Sequence, residues 1–201
     1  MNTILMIIVT FFAGMGAGLG TGFAGMSAAA VISPILITFL GMDPYMAVGI
    51  ALSSDVLASA VSAYTYGKNK NLDVKNGPKK RAVQSLICGV MIGFICGFIG
   101  AGGGMMMLLI LTSVLDYELK TAVGTSVFIM TFTAFTGAVS HFAIGGMPNI
   151  AVWILCIVFT LLWARIAAVF ANKATPKTLN RATGVILVVL GIVVMAFSIL
   201  N

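Results

Sequence analysis

Asp55, in the run AVGIALSSDVLASA at 47–60, is the one acidic residue set well inside an apolar stretch. On a helix over 46–66 it lies about 13 Å from the start at 1.5 Å per residue. Ionisable groups at such depth are costly to hold in hydrocarbon and often functional. Ser59 and Ser62 follow at i+4 and i+7, which makes one helix face polar. Asp55 reads either as a single coupling proton site or as a protonated, hydrogen-bonded packing residue. His141 is the sole histidine, so it makes no metal site by itself. It reads as a gate or proton relay, or as an interfacial histidine without special duty. Ser53 and Ser54, and Thr125 and Ser126, each follow an Ala-Val-Gly triplet. Their hydroxyls can donate to an anion or bond back to their own helix carbonyls.

Glycines supply the second kind of chemistry. The stretch GFIGAGGG at 97–104 holds five of them, among them Gly100, Gly102, Gly103 and Gly104. Each weakens a helix interior by roughly 1 kcal/mol relative to alanine, so consecutive glycines favour an unwound backbone. A similar break, GTGFAG at 20–25, ends on Gly25 and is followed by Ser27, with Pro34 in the next apolar run. A helix that restarts after such a break presents free N–H groups and a positive dipole end. Two such half-helices can hold an anion at the midplane without a buried lysine. The plainer reading is that the glycines only allow tight turns and close helix contacts. No βαβ unit surrounds either cluster, so a nucleotide loop is not supported.

The elements that must position these residues are membrane spans. Of 201 residues 60% are hydrophobic and 8% charged, and the apolar runs reach the roughly 20 residues that cross a hydrocarbon core. Apolar stretches run over about 4–20, 26–40, 46–66, 83–99, 105–115, 121–143, 150–171 and 183–200. Those at 26–40 and 105–115 are short for a full crossing and read as thin spans or as arms of re-entrant hairpins. Residues 1–13 lack the basic n-region of a signal peptide, and no cleavage is expected. Cys88, Cys96 and Cys156 all sit in apolar runs; their spacing fits neither zinc nor a disulfide framework.

Sliding the chain against itself by 75 residues brings GFAG at 22–25 onto GFIG at 97–100, and AVG at 47–49 onto AVG at 122–124. Gly14 and Gly18 fall on Gly89 and Gly93, and Tyr66 falls on His141. Asp55 falls on Met130, so the second copy carries no acid there. Six of the eleven basic residues lie in the loop 67–82, and three more, Lys173, Lys177 and Arg181, lie in 172–181. With those loops placed in the cytoplasm, Lys120 also falls inside, and the loops 41–45 and 144–149 fall outside without a Lys or Arg. Three crossings per copy then give an inverted-topology repeat, a plan common among secondary transporters. The expected fold is an all-α polytopic membrane protein built as one transmembrane domain over 1–201. Repeat 1 covers about 4–67 and repeat 2 about 83–145, with the basic loop between them, Gly-broken or re-entrant helices within them, and an added helix pair at 150–200. Arg165, near the cytoplasmic end of its span, reads as a snorkelling side chain.

GFIGAGGG at 97–104, TAVGTS at 121–126, Gly137-x3-His141, and AVGIALSSDVLASA at 47–60 with TYGKNKNLD at 65–73 together resemble the sulfite-exporter (TauE/SafE) family of membrane permeases. The resemblance implies transport, often outward, of small anions such as sulfite, sulfonates or related organic acids, with proton coupling. It also carries one departure: a helix pair of roughly fifty residues looks absent after Tyr66. That leaves a lateral face for a second subunit, and a homodimer is the resulting expectation. The partners expected are a small anion and the cell membrane, with no nucleic acid and no cofactor. An intramembrane enzyme is disfavoured, because the sequence has no HExxH and no second histidine. A passive anion channel or a membrane assembly partner is the alternative to a carrier working by alternating access.

Overall fold

The computed structural model describes residues 3–72, 103–145 and 147–175, with separate positions between 177 and 195. Gly100, Gly102, Cys88, Cys96, the apolar run 83–99 and most of the loop 67–82 lie outside the described residues. Those described are helical, without strands: α1 Thr3–Ala24, α2 Ala29–Leu40, α3 Pro44–Lys68, α4 Gly104–Ser113, α5 Leu119–Gly145 and α6 Ile150–Lys173. Among them α1, α3, α5 and α6 are long and apolar enough to cross a membrane, at about 33 to 41 Å each. The chain is an all-α membrane protein.

Local chemistry sets the helix ends. Asp43 caps α3, its Oδ1 accepting from the backbone N–H of Tyr45 and Met46, with Pro44 in the first turn. Asn149 caps α6 in the same way through Ala151 and Val152. α1 stops at Gly25, whose φ of +61° places it in the left-handed region, and its N–H returns to the Thr21 carbonyl.

The 75-residue repeat recurs in the helix starts. α2 begins at 29 and α4 at 104, and α3 begins at 44 and α5 at 119, so both pairs are offset by 75. α3 and α5 run antiparallel against each other. The contacts Gly49 with Phe142, Leu52 with Gly137, Ser59 with Thr131 and Tyr66 with Gly124 have residue sums of 191, 189, 190 and 190. A nearly constant sum is what an antiparallel pair gives. α1 instead runs parallel to α6. Gly14 meets Phe159 and Thr160, Gly18 meets Thr160 and Ala164, and Gly22 meets Ala164, Ala167 and Ala168. A ladder without side chains on α1 lets the two backbones close.

α2 and α4 are about 18 and 15 Å long, half of a hydrocarbon core of about 30 Å. Each is seated in its own core. Ile32 and Leu36 of α2 pack with Val9, Ile50 and Cys156, whereas Leu108 and Leu111 of α4 pack with Tyr66, Val123 and Ala168. Among the described residues Lys68 and Lys173 end α3 and α6 and Lys120 lies in the first turn of α5, all at the second end. There Lys120 Nζ donates to the Asn172 carbonyl and Asn71 Nδ2 to Asn172 Oδ1. At the first end Tyr45 and His141 stack at 4.3 Å and Phe142 meets Trp153 edge-on.

Candidate functional site at two meeting helix breaks

The end of α1 meets the start of α4. Gly104, the first residue of α4, lies against the Gly25 carbonyl so closely that a Cβ there would overlap it, and would stand 2.6 Å from Met130 Sδ. Gly25 in turn lies against Ser126 Oγ. One residue past Met26, Ser27 Oγ donates to Asp55 Oδ2 at 2.6 Å and accepts from the Ala29 N–H at 3.2 Å. Asp55 has no exposed surface, and the Ala28 backbone N–H faces its carboxyl. The carboxyl therefore sits at the N-terminus of α2, where the helix dipole is positive.

Asp55 and Met130 occupy equivalent places. Each is the twelfth residue of its helix, counted from Pro44 and Leu119, about 17 Å from the start. Asp55 lies at the N-terminus of α2 and Met130 at the N-terminus of α4. The first half-helix carries its own anionic group in Asp55; the second meets a thioether, and Gly103 gives it no side-chain cap.

Several buried polar atoms near the α2–α3 pair are unsatisfied. Asp55 Oδ1, Ser33 Oγ and Ser62 Oγ have no hydrogen-bond partner among the described residues. Such atoms are uncommon in folded proteins. Ser59 is committed, donating to the Asp55 carbonyl.

The other expected residues divide. Gly25, Ser27, Gly103, Gly104, Ser126 and Asp55 are drawn into one neighbourhood. Ser126 donates its proton to the Val123 carbonyl, and Ser53 and Ser54 both donate to the Ile50 carbonyl. For these three hydroxyls the bond back to the helix is the one made, because a carbonyl three or four residues earlier is always in reach. Ser53 also accepts from Trp153 Nε1 at 2.6 Å, which fixes it on α6. Thr125 is buried beside Ser126 on α5. His141 is half-buried, stacked on Tyr45 at the far end of the bundle from α4.

Sequence reasoning missed Tyr45, Met130 and Trp153 as parts of this arrangement. It also missed Tyr66 as a tie, whose hydroxyl donates to the Gly22 carbonyl at 2.9 Å. For Met130 a signal existed, since it stands 75 residues after Asp55. Nothing local marked the others.

Residues 10–79 and 74–194 match the protein-family model described as "Sulfite exporter TauE/SafE". The chain is 42% identical over 57 residues to "Probable membrane transporter protein YdhB" of Bacillus subtilis (strain 168), covering 28% of this chain and 23% of that one. It is 24% identical over 139 residues to "Probable membrane transporter protein MJ0441" of Methanocaldococcus jannaschii, covering 65% of this chain and 52% of the relative. With "Probable membrane transporter protein YunE" of Bacillus subtilis (strain 168) it shares 29% identity over 101 residues, half of this chain and 37% of the other. The matched region thus spans from about a quarter to about half the length of these relatives. No solved structure matches the chain. The two family matches together reach from residue 10 to residue 194, and the chain belongs to the sulfite exporter TauE/SafE family.

Proposed function

We propose that the protein is a proton-coupled secondary transporter of a small anion, sulfite or a sulfonate by family, moving it outward across the cell membrane by alternating access. The observation that carries this reading is the meeting of the two breaks, with Gly25 against Gly104 and the Ser27–Asp55 hydrogen bond beside them. The two N-termini divide the labour. α2 holds the resident carboxyl of Asp55. α4, opening on glycines beside Met130, takes the mobile anion on its positive end.

Coupling follows from the chain between them. Protonation of Asp55 changes what Ser27 donates to, and Ser27 lies two residues from Gly25, which touches both Gly104 and Ser126. Residues 4–67 and 83–145 act as inverted repeats that rock around this point, with 67–82 and 172–181 in the cytoplasm. Gly25, Ser27, Gly103, Gly104 and Ser126 form the anion's surroundings, and Asp55 carries the proton. His141, with Tyr45, closes the outer end.

The test is anion flux in proteoliposomes loaded with labelled sulfite under an imposed proton gradient. Saturable flux that follows the gradient, and that persists without following it in Asp55→Asn, is expected. Flux in Asp55→Asn that still follows the gradient removes Asp55 as the proton site. Non-saturating flux makes the protein a channel.

A further inference from the structure

Lys68, at the end of α3, and Arg165, on α6, are 97 positions apart in sequence yet line one cavity of about 310 Å³ with Tyr64, Thr65 and Asn69. The described carboxylates, Asp43, Asp55, Asp116 and Glu118, line none of it. Two cations from different helices line it with no acid among the described residues, while Thr65 Oγ1 and Asn69 Nδ2 already donate to the Val61 and Thr65 carbonyls. Lys68 and Arg165 are the pair of charges that suits a phosphate.

A second cavity adjoins it, sharing Tyr64 and Lys68. It holds about 590 Å³, within the range of small-molecule sites, and its other walls include Ala60, Ala63, Leu72, Phe128 and Phe132. Ala60, Ala63, Tyr64, Gly67 and Lys68 fall on one face of α3, at spacings of three and four. The groove therefore runs along α3 against α5 from Lys68 toward the middle of the bundle. Eight residues of rise make about 12 Å, most of one leaflet of a core about 30 Å thick. The one polar wall atom deep in it, Thr131 Oγ1, already bonds the Val127 carbonyl and Ser59 Oγ.

We propose that this is a binding site for an anionic phospholipid. The phosphate lies between Lys68 and Arg165, the glycerol region lies against Tyr64, and one acyl chain occupies the groove between α3 and α5. Tyr64 is 73% exposed and belongs to both cavities, the place of an interfacial aromatic at the headgroup level. A free phosphate satisfies the cations but leaves the apolar groove unexplained; a zwitterionic lipid fills the groove but brings a cation of its own toward two others. On the orientation proposed above the site faces the cytoplasmic leaflet, where anionic lipids attract basic segments.

The test is native mass spectrometry of the delipidated full chain in mild detergent, titrated with phosphatidylglycerol, with phosphatidylcholine of the same chains, and with inorganic phosphate as competitor. Phosphatidylglycerol is expected to bind in preference to phosphatidylcholine. Lys68→Gln with Arg165→Gln weakens it about thirtyfold and abolishes the preference. Ala60→Phe, which fills the groove and leaves both cations, weakens both lipids. Each variant is checked for thermal unfolding at the wild-type temperature. Should the double variant not fold, the single variants serve, each with a loss of about fivefold. Equal binding of the two lipids by wild type, or a preference surviving in the cation variants, overturns the proposal. Displacement of phosphatidylglycerol by inorganic phosphate at comparable concentration assigns the cations to a soluble anion and likewise overturns it.

Discussion

Ser27→Ala tests whether the Ser27–Asp55 contact organises the site. The bond is 2.6 Å long between two fully or nearly fully buried side chains. Asp55 Oδ1 already has no partner among the described residues, so the substitution strips the carboxyl of its side-chain donor. Leaving a buried polar group unsatisfied costs about 1–3 kcal/mol, or roughly 5- to 150-fold in the folded-to-unfolded ratio. Ser27 also receives the Ala29 N–H, a cap-like contact worth ~1 kcal/mol by itself. The two contributions separate in a double-mutant cycle with Asp55→Leu, which keeps the branched heavy-atom shape and removes the carboxyl. In that background Ser27→Ala costs only the cap-like part, giving a coupling of about 1–3 kcal/mol. Denaturant unfolding in micelles, followed through Trp153 and Trp163, reads all four corners. Additivity within about 0.5 kcal/mol would refute the contact as the organising one and leave Asp55 as packing.

Gly104→Ala drives a Cβ into the Gly25 carbonyl and Met130 Sδ; a loss of about 1–3 kcal/mol and of anion flux is expected. Gly67→Ala, with nothing within 4 Å of the added carbon, is its control and should be neutral or gain up to ~1 kcal/mol. Gly18→Ala puts a Cβ 2.6 Å from the Thr160 carbonyl; separating α1 from α6 should lower the unfolding temperature, again by an amount equivalent to about 1–3 kcal/mol. Trp153→Phe removes the donor to Ser53 Oγ at a cost of about 0.5–1.5 kcal/mol, with fold and flux retained. For orientation, Met147→Cys, 75% exposed, should react with an impermeant maleimide on intact cells, and Lys70→Cys only after permeabilisation. The reverse pattern would invert the topology.

Much of this protein is legible along the chain, because in a membrane the backbone must satisfy itself within each helix. Local sequence then fixes where helices start and stop. Asp43-Pro44, Asn149 and Gly25 set their ends by capping and by φ. The 75-residue repeat in the residues returns as a 75-residue offset in the helix starts, and the glycine ladder of α1 lies where two helices close. Asp55 stood out for the same reason, since a carboxyl in an apolar run is conspicuous without any partner in view. Partners are another matter. That Gly25 meets Gly104, that Ser27 reaches Asp55, that Trp153 holds Ser53 and that Lys68 and Arg165 face one cavity depend on separations of 28 to 100 residues. Nothing in the neighbouring residues encodes them. The choice between hydroxyls that bind an anion and hydroxyls that bond to their own helix was likewise open in sequence. Both partners suit a hydroxyl, and only the packed arrangement sets which one is in reach. The sequence by itself determined where the described helices start and stop, which rests on backbone chemistry within a few residues. The tertiary structure alone decided which break faces which, because long-range packing selects among contacts that local chemistry leaves equal.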